Sequence, residues 1–374
     1  MKRLFCLLLV LCLLLCACGK KTAETPTEPS VPATTTLPTT EATTEATTEA
    51  TTEATEPPTE APTEPLGLVN PLTGEPVEEA YTGRPVSFSL NNNSSCLPQH
   101  GLDDVDWLFE VETEGGITRC VGIMTDPTSA GAVGPIRSCR TYFLNISVSY
   151  NAPLFHCGGS RFSDAYQYSE AESLSDWNHL DQMGNASSYF YRDSNRYNNL
   201  GYAWEHTLFT SGELMAQGMA DKGYAQTSGE PVDYGYRFSQ DVALDGQTAD
   251  SVNIEFLGGK DTTMVYDAES GLYLAHQDGR NWVDGDTGAN ATFRNVLVIT
   301  TSQTKIESGH SFYNLNGTGD GYFACGGKMI PVKWHHQGVD GPFRFTSADG
   351  SPITLGVGST YCAIVSTEGS VTAE

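Results

Sequence analysis

The chain has few basic residues for its length. Its 374 residues include 20 Lys plus Arg against 46 Asp plus Glu, which gives a formal net charge of −26. Four of the basic and nine of the acidic residues precede Pro65, so 16 basic residues still face 37 acidic ones beyond it. Such a surface repels nucleic acid and anionic lipid headgroups. The composition therefore predicts no nucleic-acid partner, and electrostatics alone would not hold the protein at a membrane.

Hydrophobic runs of membrane-spanning length are also missing. The apolar segment at residues 4–15 follows the basic start Lys2-Arg3 and falls short of the ~20 residues that a spanning helix needs. The order of basic start, short apolar core and small residue before Cys18 is typical of a secretory signal peptide over residues 1–17. The segment resembles bacterial lipoprotein signals, which implies cleavage before Cys18 and lipidation of its thiol. The alternative is a plain cleaved signal in which Cys18 is an ordinary residue.

Large apolar side chains are almost absent from the next segment. Residues 18–65 consist largely of Thr, Glu, Ala and Pro, with a Glu-Ala-Thr-Thr repeat from Glu41. A segment that buries so little cannot offset the entropy of ordering, so we predict a disordered linker after the lipid anchor. At ~3.3–3.6 Å per residue its reach is on the order of 150 Å. The protein is therefore expected on the extracytoplasmic face of a bacterial membrane; the sequence leaves glycosylation of the threonines open.

The folded region begins with mixed patterns. Alternating apolar residues predict strands at residues 85–90 and 107–111, and Glu114-Gly115-Gly116 before residues 117–124 indicates a hairpin. Helical spacing predicts a helix over residues 136–150, with Pro135 near its first turn. These patterns indicate an N-terminal domain of mixed α/β type.

Later segments change character. A second helix is expected around residues 163–169, and a third from Thr210 to about Lys222, ending at Gly223. Beyond about residue 236, short strands separated by glycine-containing turns indicate an all-β unit. We therefore predict an α+β protein, with a mixed α/β N-terminal domain at residues 66–235 and a mainly antiparallel all-β C-terminal domain at residues 236–374.

Cysteines are few in this region. Six follow the anchor: Cys96, Cys120, Cys139, Cys157, Cys325 and Cys362. An even number in an exported chain permits disulfides, and we predict a Cys325–Cys362 bond with the other four pairing in the N-terminal domain. The alternative is that all six are small buried apolar side chains. None has metal-ligand spacing, so neither a metal nor another cofactor is predicted.

Three motifs resemble a known family. They are Gly115-Gly-Ile-Thr-Arg119, Gly134-Pro-Ile-Arg-Ser-Cys-Arg140 and His156-Cys-Gly-Gly-Ser160 with Asp164-Ala-Tyr166. In this order they are similar to the YerB-like lipoproteins, domain of unknown function 3048, over about residues 70–365. The resemblance implies a lipid-anchored, extracytoplasmic, two-part protein without an established activity. Cys139 and Cys157 depart from the family pattern, and their occurrence in two motifs predicts that these motifs lie close together.

The second motif concentrates positive charge in an acidic chain. At the expected start of a helix, Arg137 and Arg140 would share one face, next to the Ser138 hydroxyl and free backbone N–H groups. Helix N-termini and arginine forks both favour carboxylates and phosphates. We predict an anion-binding pocket that Arg119 completes. The alternative is that the arginines pair with internal acids such as Glu110, Glu112 or Asp164.

Two classes of function follow from this site. The first is a binding or accessory module for a cell-wall polymer or an envelope protein. The second is a wall hydrolase or transferase, with His156 as general base and Ser160 as nucleophile. Asp164, Arg192 and His206 are further candidates for the pocket lining. Familiar hydrolase motifs are absent, which favours binding. The aromatic segment at residues 189–204 is interpreted as covering for the core, with a sugar-binding surface as the alternative.

Overall fold

A computed structural model describes residues 67–159, 178–184, 186–305, 309–337 and 341–374. The signal peptide, Cys18, the linker, Ser160, Asp164 and the helix predicted at residues 163–169 lie outside these ranges. The described residues belong to one compact unit. Across the described ranges, no helix is both long enough and apolar enough to cross a membrane.

Strands dominate the described residues, and helices are few. The strands are β1 Val86–Asn92, β2 Trp107–Glu112, β3 Thr118–Met124, β4 Ala132–Val133, β5 Leu154–His156, β6 His179–Asp181, β7 Tyr191–Arg192, β8 Leu208–Ser211, β9 Arg237–Ser239, β10 Gln247–Thr248, β11 Ser251–Glu255, β12 Asp261–Asp267, β13 Leu272–Gln277, β14 Arg280–Asn281, β15 Thr292–Phe293, β16 Asn295–Thr301, β17 Gln303–Lys305, β18 Ser311–Tyr313, β19 Gly317–Cys325, β20 Lys328–His336, β21 Arg344–Thr346, β22 Thr354–Gly356, β23 Thr360–Ser366 and β24 Ser370–Ala373. The α-helices described are α1 Thr141–Ser149, α2 Ser194–Asn198 and α3 Gly212–Asp221, and short 3-10 helices lie at Ser94–Cys96, Glu114–Gly116, Pro127–Ser129, Ser187–Tyr189 and Trp204–His206. A mixed N-terminal part thus precedes a strand-rich C-terminal part, and strands outweigh helices more than the α+β prediction implied.

One central sheet joins the two parts of the chain. Its eleven strands run in the order β10-β20-β19-β16-β23-β2-β3-β1-β5-β6, with β21 beside β20. The junction is the parallel pair β2–β23, in which Trp107 faces Thr360 and Val111 faces Ile364. Both strands are buried along their whole length. The segments predicted as an α/β domain and an all-β domain therefore share one sheet.

Two apolar cores lie on opposite faces of this sheet. Alternate residues of a strand point to opposite faces, so Trp107 and Phe109 of β2 enter one core and Leu108 enters the other. Helix α1 covers the first face with Phe143 and Ile146. A second sheet, in the order β14-β13-β12-β11-β24 with β15 beside β13, contributes to the other core. Because both faces of the sheet are covered, the candidate sites are formed by the turns and loops at the ends of β1, β2 and β3.

Helix α1 begins five residues later than predicted. The segment from Ile136 to Cys139 is extended, and three of its four amides are paired: Ile136 N–H donates to the Leu208 carbonyl at 2.7 Å, Arg137 N–H to the Ser89 carbonyl at 2.8 Å and Cys139 N–H to the Gly158 carbonyl at 3.0 Å. Arg140 is the N-cap residue of α1. The predicted sharing of one helical face by Arg137 and Arg140 is therefore wrong, and these three amides are not free for a ligand. By contrast, α3 ends as predicted, with Gly223 at φ +67°.

All six cysteines of the described region are free thiols. Cys325 lies on β19 and Cys362 on β23, and β16 separates these two strands. Strands two places apart are about 9.5 Å from each other, beyond the Cα separation that a disulfide spans. Cys139 and Cys157 occupy adjacent segments but are not bonded. The predicted disulfides are therefore wrong, and the closeness of the two motifs is confirmed.

Candidate functional site

Glu114 forms ion pairs with two of the three motif arginines, Arg119 and Arg140. It lies in the turn between β2 and β3, where Gly115 and Gly116 adopt positive φ of +80° and +71°. The Arg140 Nε donates to Glu114 Oε2 at 3.0 Å, and a terminal nitrogen of Arg140 makes a very short contact with Oε1. Arg119 approaches the same Oε1 at 3.3 Å. Both guanidinium groups are nearly buried, with side chains 5% and 6% exposed.

The electrostatics of this trio are those of an internal ion cluster. Burial opposes ionisation of Glu114, but the hydrogen bond from Arg140 and the charge of Arg119 outweigh it and lower its pKa to about 2. Burial and the neighbouring charge of Arg140 lower the pKa of Arg119 to about 10. Arg119 also donates to the Ser138 carbonyl at 3.0 Å, and Arg140 to the Cys139 carbonyl at 2.7 Å. Arg119 and Arg140 therefore brace the turn and the motif, and the terminal nitrogens of both are engaged within the protein.

Arg137 differs from the other two arginines. Its side chain is 25% exposed, and its ion pair with Glu205 is long, at 3.5 Å between a terminal nitrogen and Oε2. Glu205 itself is 57% exposed. The Nε of Arg137 is buried and has no hydrogen-bond partner among the described residues. A donor of this kind costs free energy unless something accepts from it. The Nε of Arg119 also lacks an acceptor, but its side chain is only 5% exposed. Arg137 is thus the motif arginine that combines an unused donor with an accessible guanidinium.

Arg192 lies near Arg137 and contacts one of two exposed aromatic rings. Burial, and to a lesser degree the charge of Arg137, lowers the pKa of Arg192. The Arg192 guanidinium carbon lies 4.7 Å from the centre of the Trp204 ring, and a terminal nitrogen donates to the Trp204 carbonyl at 2.7 Å. Trp204 is 55% exposed and packs edge-on against Tyr197, itself 49% exposed. The prediction that residues 189–204 only cover the core fails at these two rings. We call Arg137, Arg192, Tyr197, Trp204 and Glu205 the arginine–aromatic surface.

Cys157 and His206 border this surface. Cys157 is half-buried, and its thiol lies 3.4 Å from Gln182 Oε1. Burial raises the pKa of the Cys157 thiol, and the charges of Arg192 and Arg137 only partly offset this effect. His206 is buried, shares a 2.9 Å hydrogen bond with the Asn91 amide, and has a pKa lowered by burial. Both groups are therefore neutral near pH 7 and leave the arginines as the charged part of the surface.

His156 is not arranged as an accessible general base. Its side chain is fully buried, with Nδ1 3.0 Å from the Gly158 carbonyl and Nε2 2.9 Å from Nδ1 of His179. The two rings stack at 5.2 Å, and burial lowers the pKa of His156. Both ring nitrogens are thus engaged within the protein. The segment that carries His156 lies beside the segment that carries Arg137, but the His156 imidazole is in the protein interior.

A buried carboxylate links the two parts of the chain. Glu110, on β2, is fully buried and accepts hydrogen bonds from side chains of both parts. The donors to its oxygens are Asn92 at 2.9 Å, Thr118 at 2.6 Å, Gln277 at 3.4 Å, Thr262 at 2.9 Å and Tyr361 at 2.7 Å. A buried charge is stable only when it is satisfied in this way. We interpret Glu110 as a structural centre that fixes the junction.

One residue of the site was missed by the sequence analysis. Glu114 was not considered as the partner of the arginines, although its place in the predicted hairpin turn, just before Arg119, was a usable signal. Glu205 was considered only as a possible lining beside His206, and Trp204 only within the segment whose alternative was a sugar-binding surface. Within the described ranges, no group of three or more His, Cys, Asp or Glu residues could hold a metal ion.

The comparisons with known proteins concern both parts of the chain. The family described as "Protein of unknown function (DUF3048) N-terminal domain" matches residues 72–225, and its C-terminal domain matches residues 252–362. "Putative lipoprotein YerB" of Bacillus subtilis (strain 168) is 28% identical over 271 residues, which cover 71% of this chain and 77% of that protein.

A solved structure is similar in fold. The crystal structure of the YerB protein from Bacillus subtilis aligns with a TM-score of 0.68 at 24% sequence identity, and the alignment covers 82% of this chain and 100% of that chain. The described architecture is therefore shared with that protein. Since both regions of one family are present in the expected order, the chain belongs to the YerB-like family of DUF3048 proteins.

Proposed function

We propose that this protein is a binding module of the bacterial cell envelope, anchored in the membrane by a lipid on Cys18. Its arginine–aromatic surface binds an anionic, wall-derived ligand. The name of the Bacillus subtilis relative supports the anchor, together with the signal-like segment at residues 1–17. The linker at residues 18–65 lets the folded unit reach into the wall above the membrane.

The choice of this surface rests on one observation about Arg137. Arg137 keeps a buried Nε without an acceptor and a partly exposed guanidinium that faces only a long ion pair. An incoming phosphate or carboxylate can accept from this fork and displace the solvent-exposed Glu205 at low cost, because exposed ion pairs contribute about 0–1 kcal/mol. Arg119 and Arg140 are poorer candidates for this role, because their side chains are only 5% and 6% exposed and both pair with Glu114.

The neighbouring groups favour a ring-bearing anion. Within the arginine–aromatic surface as defined, Arg137 and Arg192 carry two positive charges and Glu205 carries one negative charge. The exposed face of Trp204 offers a flat apolar platform of the kind on which sugar rings and other rings pack. Local positive charge of this kind also attracts anions to an otherwise acidic protein. A phosphate- or carboxylate-bearing wall polymer combines the two properties.

The test is binding of purified, phosphate-bearing wall fragments to the full chain in detergent. We expect Arg137→Gln and Arg192→Gln each to weaken binding by about tenfold, and Trp204→Ala by a similar factor. Arg237→Gln is the matched control, because Arg237 is exposed on β9, far from the motif in the sequence. Equal binding by the wild type and Arg137→Gln, both folded, would remove this surface as the site.

A further inference from the structure

A cavity lies at the seam between the two family regions. It has a volume of about 560 Å³ and lies between the short turn after β1 and the β13–β14 hairpin. Its lining residues are Ser94, Leu97, Pro98, Gln277, Asp278, Arg280, Asn281 and Val283. Cavities of about 300–1,000 Å³ at such seams are where small ligands usually bind. None of the functional assignments above uses this cavity.

The charge at the cavity is one unpaired arginine. Asp278 pairs with Lys260, whose Nζ donates to Asp278 Oδ2 at 2.9 Å, and the Asp261 carboxyl shares this contact. Arg280 is exposed at the mouth and has no ion-pair partner in the part of the chain that the structure describes. The guanidinium of Arg280 is therefore the cation at this cavity that is left to a ligand. A single carboxylate matches this charge, whereas a doubly charged phosphate would leave excess negative charge beside Asp278.

The floor of the cavity is rigid and already satisfied. The Gln277 amide is buried, accepts from Lys260 Nζ at 3.2 Å and donates to Glu110 at 3.4 Å. Lys260 is itself buried. Because both ends of this amide are held, the floor does not rearrange when a ligand enters, and little free energy is lost to ordering.

The other lining residues indicate the chemistry of the rest of the ligand. Leu97, Pro98 and Val283 form an apolar wall for a short aliphatic group, and the exposed Asn281 amide can both donate to and accept from a peptide group. We propose that this cavity binds the carboxylate end of a short peptide, with its terminal carboxylate on Arg280 and its last amide on Asn281. This site is distinct from the arginine–aromatic surface and does not depend on it.

The probe is N-acetyl-alanyl-alanine, and the same peptide with a C-terminal amide serves as the uncharged reference. Dissociation constants are measured by ligand-observed NMR on the full chain in detergent. We expect the carboxylate form to bind at least about tenfold more tightly than the amide, because a paired arginine–carboxylate contact is lost in the amide. Arg280→Gln should remove this difference, and Ser94→Phe should block both peptides by filling the mouth.

Two controls separate this site from the arginine–aromatic surface. Arg237→Gln and Arg137→Gln should bind the probe as the wild type does. No binding by the wild type, unchanged discrimination in Arg280→Gln, or loss of binding in Arg137→Gln would each overturn the proposal. Since wall-fragment binding depends on Arg137 and peptide binding on Arg280, failure of one proposal is distinguishable from failure of the other.

Discussion

Replacing Glu114 by Gln tests the internal ion cluster. The pKa of Glu114 falls from 4.5 to about 2 in the folded protein, and each pKa unit corresponds to about 1.4 kcal/mol. Because the Glu114 side chain is 31% exposed, solvent screening reduces this contribution. We expect Glu114→Gln to lower the free energy of unfolding by about 2 kcal/mol at pH 7, since two nearly buried guanidinium groups lose their counter-charge.

The stability difference between wild type and Glu114→Gln should depend on pH in one direction. A carboxyl whose folded pKa lies below its unfolded pKa stabilises the protein above the unfolded value and loses this effect as pH falls towards the folded value. The stability gap between wild type and Glu114→Gln should therefore be full at pH 7 and narrow between about pH 4.5 and pH 2.

Urea denaturation followed by tryptophan fluorescence at pH 7 and pH 3.5 measures the gap. The control is Glu269→Gln, an exposed glutamate whose substitution should change stability at neither pH. Equal stability of wild type and Glu114→Gln at pH 7, or a gap of the same size at pH 3.5, would refute the ion-cluster interpretation.

Three further predictions concern the interior. Glu110→Ala should lower the free energy of unfolding by about 3–5 kcal/mol in urea denaturation, because five buried donors lose their acceptor; a loss within 1 kcal/mol of that of Glu269→Ala would contradict this. The depressed pKa of His156 means that its protonation favours unfolding, so wild-type stability should fall relative to His156→Asn between pH 7.5 and pH 5.5; parallel pH profiles would argue against the buried neutral ring. Without reductant, Ellman's reagent should count six thiols in the denatured mature chain but only Cys157 in the native one, and two or four missing thiols would indicate disulfides.

Local patterns in the sequence predicted local structure well. The hairpin of β2 and β3 was expected at residues 107–111 and 117–124, and the structure has it at Trp107–Glu112 and Thr118–Met124. Its alternation and its glycine turn are both local signals. The parallel pairing of β2 with β23 has no such signal, because about 250 residues separate the strands. For this reason two separate domains were expected where one sheet exists.

The start of α1 was misplaced for a related reason. Apolar spacing from Ile136 is compatible with a helix, but the Ile136 and Arg137 amides find β partners on Leu208 and Ser89. Tertiary hydrogen bonds of this kind override a local helical preference. This extended segment also affects the site, since Arg137 pairs with Glu205 and does not join the ion pair that Arg140 forms with Glu114.

The set of candidate acidic partners for Arg119 could have been reduced from the sequence. Strand alternation places Glu110 and Glu112 on the face of β2 opposite to Val111, and Val111 is the register partner of Arg119. Of the nearby acids, this leaves Glu114 in the turn within reach of Arg119. The Trp204 platform and the long Arg137–Glu205 pair depend on how loops meet in space, and no sequence pattern indicates them.

The most direct test of the arginine–aromatic surface follows the arginine Nε–H signals by NMR during titration with a phosphate-bearing wall polymer. The full chain is labelled with 15N-arginine, and single Arg→Gln variants assign the signals. The Arg137 and Arg192 signals should shift and saturate together, while those of Arg119 and Arg140, held by Glu114 and by backbone carbonyls, stay in place. Shifts confined to Arg119 and Arg140, or no shift in any of the four at saturating polymer, would contradict the proposed binding surface.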